Sequence, residues 1–197
     1  SEVFDAYTLT RGGFPTANLA VRTGVLTSIG GFDEKLTIAG EDHDLCARIY
    51  KEGFSIKYVT DTIVYHIHRN TLKGTWKQSF GFGTGHSAML KKHFNQMIII
   101  ELPGCQYVSC KWPIRLWLDL AGADEKIAVL ILLSIMWWPA SVLFVLYLLY
   151  LFMNIKSRLR QNSLNARFLE NWQLVFLLFF KSAAITMGRI VGSLYNK

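Results

Sequence analysis

The densest polar cluster in this chain is Gly40-Glu41-Asp42-His43-Asp44-Leu45. Acids in the first turn of a helix usually do no more than cap free N–H groups and complement the helix dipole. A carboxylate presented there beside a glycine turn is also poised to take a proton from a hydroxyl. Spacing alone favours the structural reading. His66 and His68 add a second candidate group. On a strand, residues two apart share a face, and two imidazoles on one face either bind a divalent metal or decorate a strand end. A metal-dependent hydrolase built on Asp42, Asp44, His66 and His68 would need further ligands, and none follows at a recognisable spacing.

The elements that must position these residues are legible as a pattern. Residues 1–13 are polar and end in a glycine loop, and Thr16 to Val21 reads as a short strand. Thr23 is placed to cap a brief helix over Gly24–Ile29, stopped by Gly30-Gly31, because glycine tolerates the left-handed conformation. Glu41 to Glu52 is the best-defined helix, with Leu45/Ile49 and Cys46/Tyr50 forming its apolar face and Gly53 ending it. Ser55–Val59 and Thr62–His68 follow as two strands bent at Asp61. Thr71 to Phe94 has helical spacing, but each glycine in a helix costs about 1 kcal/mol against alanine, so an interruption near Gly81–Gly85 is expected.

Composition divides the chain. Half of its 197 residues are apolar, yet 18% are charged. Residues 1–95 have globular punctuation, 96–126 mix aromatic and basic side chains suited to a membrane interface, and 127–197 are strongly apolar. Ile127 to Met153 carries no charge and is long enough to cross a bilayer core of about 20 helical residues, with Pro139 near its middle. Trp172 to Tyr195 carries Lys181 and Arg189, so it either lies in the interface or spans with its charges facing protein. The net charge of +7 suits an anionic partner, but Lys156, Arg158, Arg160 and Arg167 follow the apolar run directly. That placement indicates lipid headgroups rather than nucleic acid. Such a cluster prefers the cytoplasmic side, and a re-entrant hairpin bent at Pro139 would keep it on the same side as a cytoplasmic soluble part. Cys46, Cys105 and Cys110 show neither metal spacing nor a disulfide framework and read as buried thiols. Ser1 opens the chain with no leader, so no signal peptide is expected and the start reads as the middle of something longer.

The order of the pieces is more informative than any one of them. Ala17-Asn18-Leu19-Ala20-Val21-Arg22, Ile29-Gly30-Gly31-Phe32-Asp33-Glu34 and Gly40-Glu41-Asp42-His43-Asp44-Leu45-Cys46-Ala47-Arg48-Ile49 resemble the acceptor half of family-two glycosyltransferases. The likeness continues through Gly53, Val64-Tyr65-His66 and His68-Arg69 and covers about the first half of the chain. It implies an α/β fold, part of a GT-A glycosyltransferase domain, followed by C-terminal membrane-associated α-helices. In this family Asp42 would be the catalytic base, with inversion following from a single in-line displacement. Glu41 and Asp44 would position the acceptor or hold the base, and Gly30, Gly31 and Phe32 would shape the acceptor pocket. His66, and less directly His68, would help bind a divalent metal (Mg or Mn) or the donor diphosphate. The partners implied are a nucleotide-sugar donor, a lipid-linked or polysaccharide acceptor and a cell membrane, with the catalytic part cytoplasmic. The family's nucleotide pocket and metal-binding Asp-x-Asp lie in an N-terminal half that these residues do not contain. The expectation is therefore a fragment, a chain completed by a partner, or a non-catalytic membrane subunit with a degenerate transferase surface.

Overall fold

The structure, a computed structural model, describes residues 14–36, 39–57, 59, 61–93, 97–102, 106–111, 116–120 and 122–195. It is a mixed α/β arrangement, mostly helical, with one small sheet. Cys105 lies outside the described residues. A 3-10 turn over Thr16–Asn18 stands where a strand was predicted. Helix α1 covers Thr23–Ser28, and Gly30 and Gly31, both at positive φ, stop it through Gly31 N–H donating to Leu26 O.

Helix α2, Glu41–Lys51, matches its predicted range closely. Leu45, Cys46, Ala47 and Ile49 bury its apolar face, and Phe54 N–H donates back to Ile49 O across Gly53. Beyond it the prediction fails. Residues 55–57 and 61–70 form no strands, and Tyr65 and Ile67 are 94% and 93% exposed. The β-branched run there has extended-chain composition, but no partner strand among the described residues supplies the ladder that pairing requires.

Helix α3 runs unbroken over Leu72–His93, through all the glycines expected to interrupt it. Tertiary contact explains the difference. Helix α6, Phe168–Tyr195, lies against α3, and Gly83 and Gly188 are pressed together at the crossing. A Cβ on Gly83 would stand 2.0 Å from Ile185 O, and one on Gly188 would stand 2.1 Å from Phe80 O. The close approach of two backbones offsets the propensity cost that the sequence alone registers.

The segment read as an interfacial connector holds the sheet. Strands β1 (Met97–Leu102), β2 (Gln106–Lys111) and β3 (Leu116–Asp119) lie in the order β2-β1-β3. β1 pairs antiparallel with β2 and parallel with β3. Ile99 and Trp117 turn inward.

The long apolar run is two helices, α4 (Ala123–Met136) and α5 (Ala140–Gln161), broken at Trp137–Pro139 where the bend was predicted. They fold back on each other, with Ala123 and Ile127 packed among Leu151, Phe152 and Val175. The tip is open, Met136 being 84% exposed. Helices α5 and α6 are each long and apolar enough to cross a membrane, by length and composition. Lys181 is exposed on α6 while Arg189 is buried, so only one of its two central charges faces protein.

Candidate functional site

The first turn of α2 sets the site. Gly40, at φ 99°, precedes the helix and rests on Gly85 of α3, where a Cβ on Gly85 would meet Ala39 carbonyl atoms at 2.9 Å. This contact brings the turn's acids onto α3. Glu41, Asp42 and Asp44 then diverge in environment, although the sequence places them in one run.

Asp44 is fully buried and its oxygens are occupied. Arg48 Nε donates to Oδ2 at 2.9 Å, His93 Nε2 lies 2.8 Å from Oδ1, and Lys92 Nζ lies 2.6 Å from Oδ1. Lys92 also pairs with Asp33, and Arg48 Nη1 donates to Ile29 O at 2.7 Å. The Gly30–Asp33 turn is thereby tied to α2 and α3 through two cations. Burial alone would push the Asp44 carboxyl up, but the bonds from His93, Lys92 and Arg48 outweigh it and hold it down at about 2.

The direction of that shift makes a prediction. The folded value lies below the ordinary 3.8, so the contribution is fully present above about pH 4 and is lost as pH falls through 2. It is on the order of 2 kcal/mol. Chemical denaturation at pH 6 and pH 2.5 should show the wild type losing more stability than Asp44→Asn over that interval.

Asp42 is only partly buried, and its Oδ2 accepts Thr16 N–H at 3.2 Å. Burial and the neighbouring Asp42 carboxylate push the Glu41 carboxyl up. Burial pushes the His43 imidazole down, with Asp42 opposing it. Beside this turn a pocket is lined by Gly40, His43, Phe82, His86, Met89 and Trp117. Of the predicted site residues, the turn at Gly30, Gly31 and Phe32 reaches α2 through Arg48 but does not line that pocket.

His66 and His68 sit on the exposed segment with their rings stacked at 5.5 Å, so they do share a side. Among the described residues no carboxylate joins them, and no group of three His, Cys, Asp or Glu side chains is arranged to hold a metal. Among the described residues, His66 and His68 by themselves do not make up a ligand set for the divalent metal that the resemblance implied. Cys46 is buried in the core, its Sγ taking Phe14 N–H at 3.4 Å, whereas Cys110 is exposed against expectation.

His86, Trp117, Asp119 and Arg189, in and around the pocket, were not among the site residues predicted from sequence. His86 stacks on Trp117 at 4.5 Å, and Arg189, 4% exposed, donates from Nε to His86 Nδ1 at 3.0 Å. Arg189 also pairs with Asp119 at 3.2 Å and lies 5.1 Å from the Trp117 ring centre. The available signal was Arg189 itself, since a charge inside an apolar helix calls for a partner.

The chain belongs to Glycosyl transferase family group 2, whose model matches residues 4–187. It is similar to the pre-mycofactocin glycosyltransferase of Mycobacterium tuberculosis (strain H37Rv), 36% identical over 90 residues, covering 46% of this chain and 19% of that protein. It is also similar to the probable glycosyltransferase YdaM of Bacillus subtilis (strain 168), 23% identical over 194 residues, covering 92% of this chain and 44% of that protein. The chain thus spans less than half the length of these relatives. No solved structure matches it.

Proposed function

We propose that this chain supplies the acceptor side and the base of an inverting glycosyltransferase of the GT-A kind. The sugar would pass from a nucleotide-activated donor to a membrane-associated lipid or polysaccharide acceptor. The observation that carries the reading is the division of labour on α2, where Asp44 is held by Arg48, Lys92 and His93 while Asp42 stays partly open, taking Thr16 N–H on Oδ2 with Glu41 beside it. Asp42 takes the proton of the acceptor hydroxyl, the hydroxyl oxygen attacks the anomeric carbon, and the nucleoside diphosphate leaves from the opposite face. Asp44 holds the base helix in place rather than touching substrate. Glu41, its carboxyl pushed up, sits beside the base, and the Gly30–Phe32 turn frames the approach to it. Donor binding falls to residues other than these, in the rest of the same enzyme or in a partner chain. Asp42→Asn in the transferase that carries this chain tests the assignment, and near-normal turnover would leave the non-catalytic subunit as the standing alternative.

The membrane part of the reading rests on the apolar surface left open by α4, α5 and α6, including Ile135, Trp138, Leu146 and Phe176. The α4–α5 fold-back at Pro139 forms a re-entrant hairpin, with the basic residues 156–167 on the cytoplasmic side alongside α2. Single cysteines at positions 158, 160 and 167 should react with a membrane-impermeant maleimide only after the membrane is opened. Labelling of intact cells or right-side-out vesicles at these positions would sink the hairpin.

A further inference from the structure

We infer that His86 is a positioning residue for the acceptor, its Nε2–H held as a fixed, uncharged donor that binds a neutral hydroxyl in the pocket beside Gly40 and His43. The description of that hydroxyl as the acceptor's rests on the reading of Asp42 as base; the site itself does not. A guanidinium has donors only and stays protonated. Because Arg189 Nε donates to His86 Nδ1, that nitrogen must present its lone pair, and the ring's one proton sits on Nε2. An imidazolium would aim N–H at N–H.

The clamp is rigid on both sides. The His86 ring lies on Trp117 at an interplanar angle of 21°, and Arg189 is braced by Asp119 of β3. Gly188, next to Arg189, is locked against α3 backbone. The ionisable groups around the ring are Arg189 on α6 and His43 on α2, whose ring lies 6.5 Å away, with Asp42 beside His43 and Asp119 beyond Arg189. Burial, then Arg189, then His43 all push His86 well below its ordinary value. Among the described residues His86 makes no other hydrogen bond, so Nε2–H is left for the pocket it lines.

The chemistry selects the ligand class. The remaining walls are Phe82, Met89, Trp117 and the glycine backbones, and Arg189, with Nε on His86 and Nη1 3.2 Å from Asp119, is not among the lining residues. Among the described residues no Lys or Arg lines the pocket to meet a phosphate, whereas a sugar or alcohol hydroxyl would find one neutral donor amid apolar contact.

The test is 15N NMR of the full chain, labelled at histidine and held in phosphatidylcholine nanodiscs, with His86 assigned by the signal missing from His86→Gln. The expected spectrum keeps the Nε2–H tautomer from about pH 5.5 to about pH 8. Methyl β-D-glucoside, galactoside or mannoside at millimolar concentration should shift the His86 signals, and inorganic phosphate should not. His86→Phe should weaken glycoside binding about tenfold, and His86→Gln, which restores a neutral donor, should recover most of it. An Nδ1–H tautomer, titration near the ordinary histidine value, a phosphate response, or silence toward all three glycosides would overturn the inference. If glycosides bind as expected while Asp42→Asn retains turnover, the base assignment falls and the hydroxyl site stands; the converse pair of results removes the site alone.

Discussion

Asp42→Asn should lower sugar transfer by at least a hundredfold while leaving the protein folded. A positioned general base contributes typically 10²–10⁴-fold, and an amide cannot take up the hydroxyl proton in the transition state. The fold should survive because Asp42 is only partly buried, the bond it takes from Thr16 N–H is equally well accepted by an amide oxygen, and an amide N–H can donate to the neighbouring Glu41. A thermal midpoint within a few degrees of wild type, together with lost turnover at saturating donor and acceptor, is the expected pair of measurements. Asp44→Asn provides the contrast. There the lost partner is shared by Arg48, Lys92 and His93, and breaking a buried ion pair costs about 3–5 kcal/mol. A stability loss at Asp44 and a pure rate loss at Asp42 would separate the two acids; equal stability losses would mean that both are scaffold.

Gly83→Ala and Gly188→Ala should each destabilise the protein severely. The added methyl would stand 2.0 Å and 2.1 Å from backbone oxygen on the facing helix, a distance no side-chain rotation relieves. Helices α3 and α6 must separate, at a cost of about 3 kcal/mol, the upper part of the usual overpacking range. For a chain of this size that corresponds to a fall in thermal midpoint of roughly 6–12 °C. Gly24→Ala on α1 is the control, since a Cβ there meets nothing within 4 Å and alanine favours the helix. A midpoint shift below about 2 °C for either interface variant would mean that the two helices do not approach as closely as described. Separation of α3 from α6 would also displace Arg189 from His86, so the pocket and the fold share this interface.

Much of the chain's local order was legible without coordinates. The range of α2 followed from acids in a first turn, apolar residues one turn apart and a terminal glycine, all of which act within a few residues. The stop at Gly30-Gly31 and the break at Pro139 are likewise local, because they depend on which φ values a residue can adopt. The apolar lengths of α5 and α6 are properties of composition.

What the sequence could not assign depends on distant partners. Two strands were expected at 55–68 and none formed among the described residues there, while the sheet arose at 97–119, because strand formation needs a paired edge and not only β-branched residues. Helix α3 continues through its glycines because at Gly83 and Gly85 the opposing surfaces, α6 and the Ala39–Gly40 turn, have no room for a side chain. By spacing alone Asp42 and Asp44 were members of one acidic turn, and only the family resemblance gave them different roles. Only the fold brought Lys92 and His93 to Asp44 and left Asp42 open, and only the fold set Arg189 behind His86, 103 residues away in the chain. Backbone conformation is decided by neighbours in sequence, whereas burial, ion pairing and protonation are decided by neighbours in space.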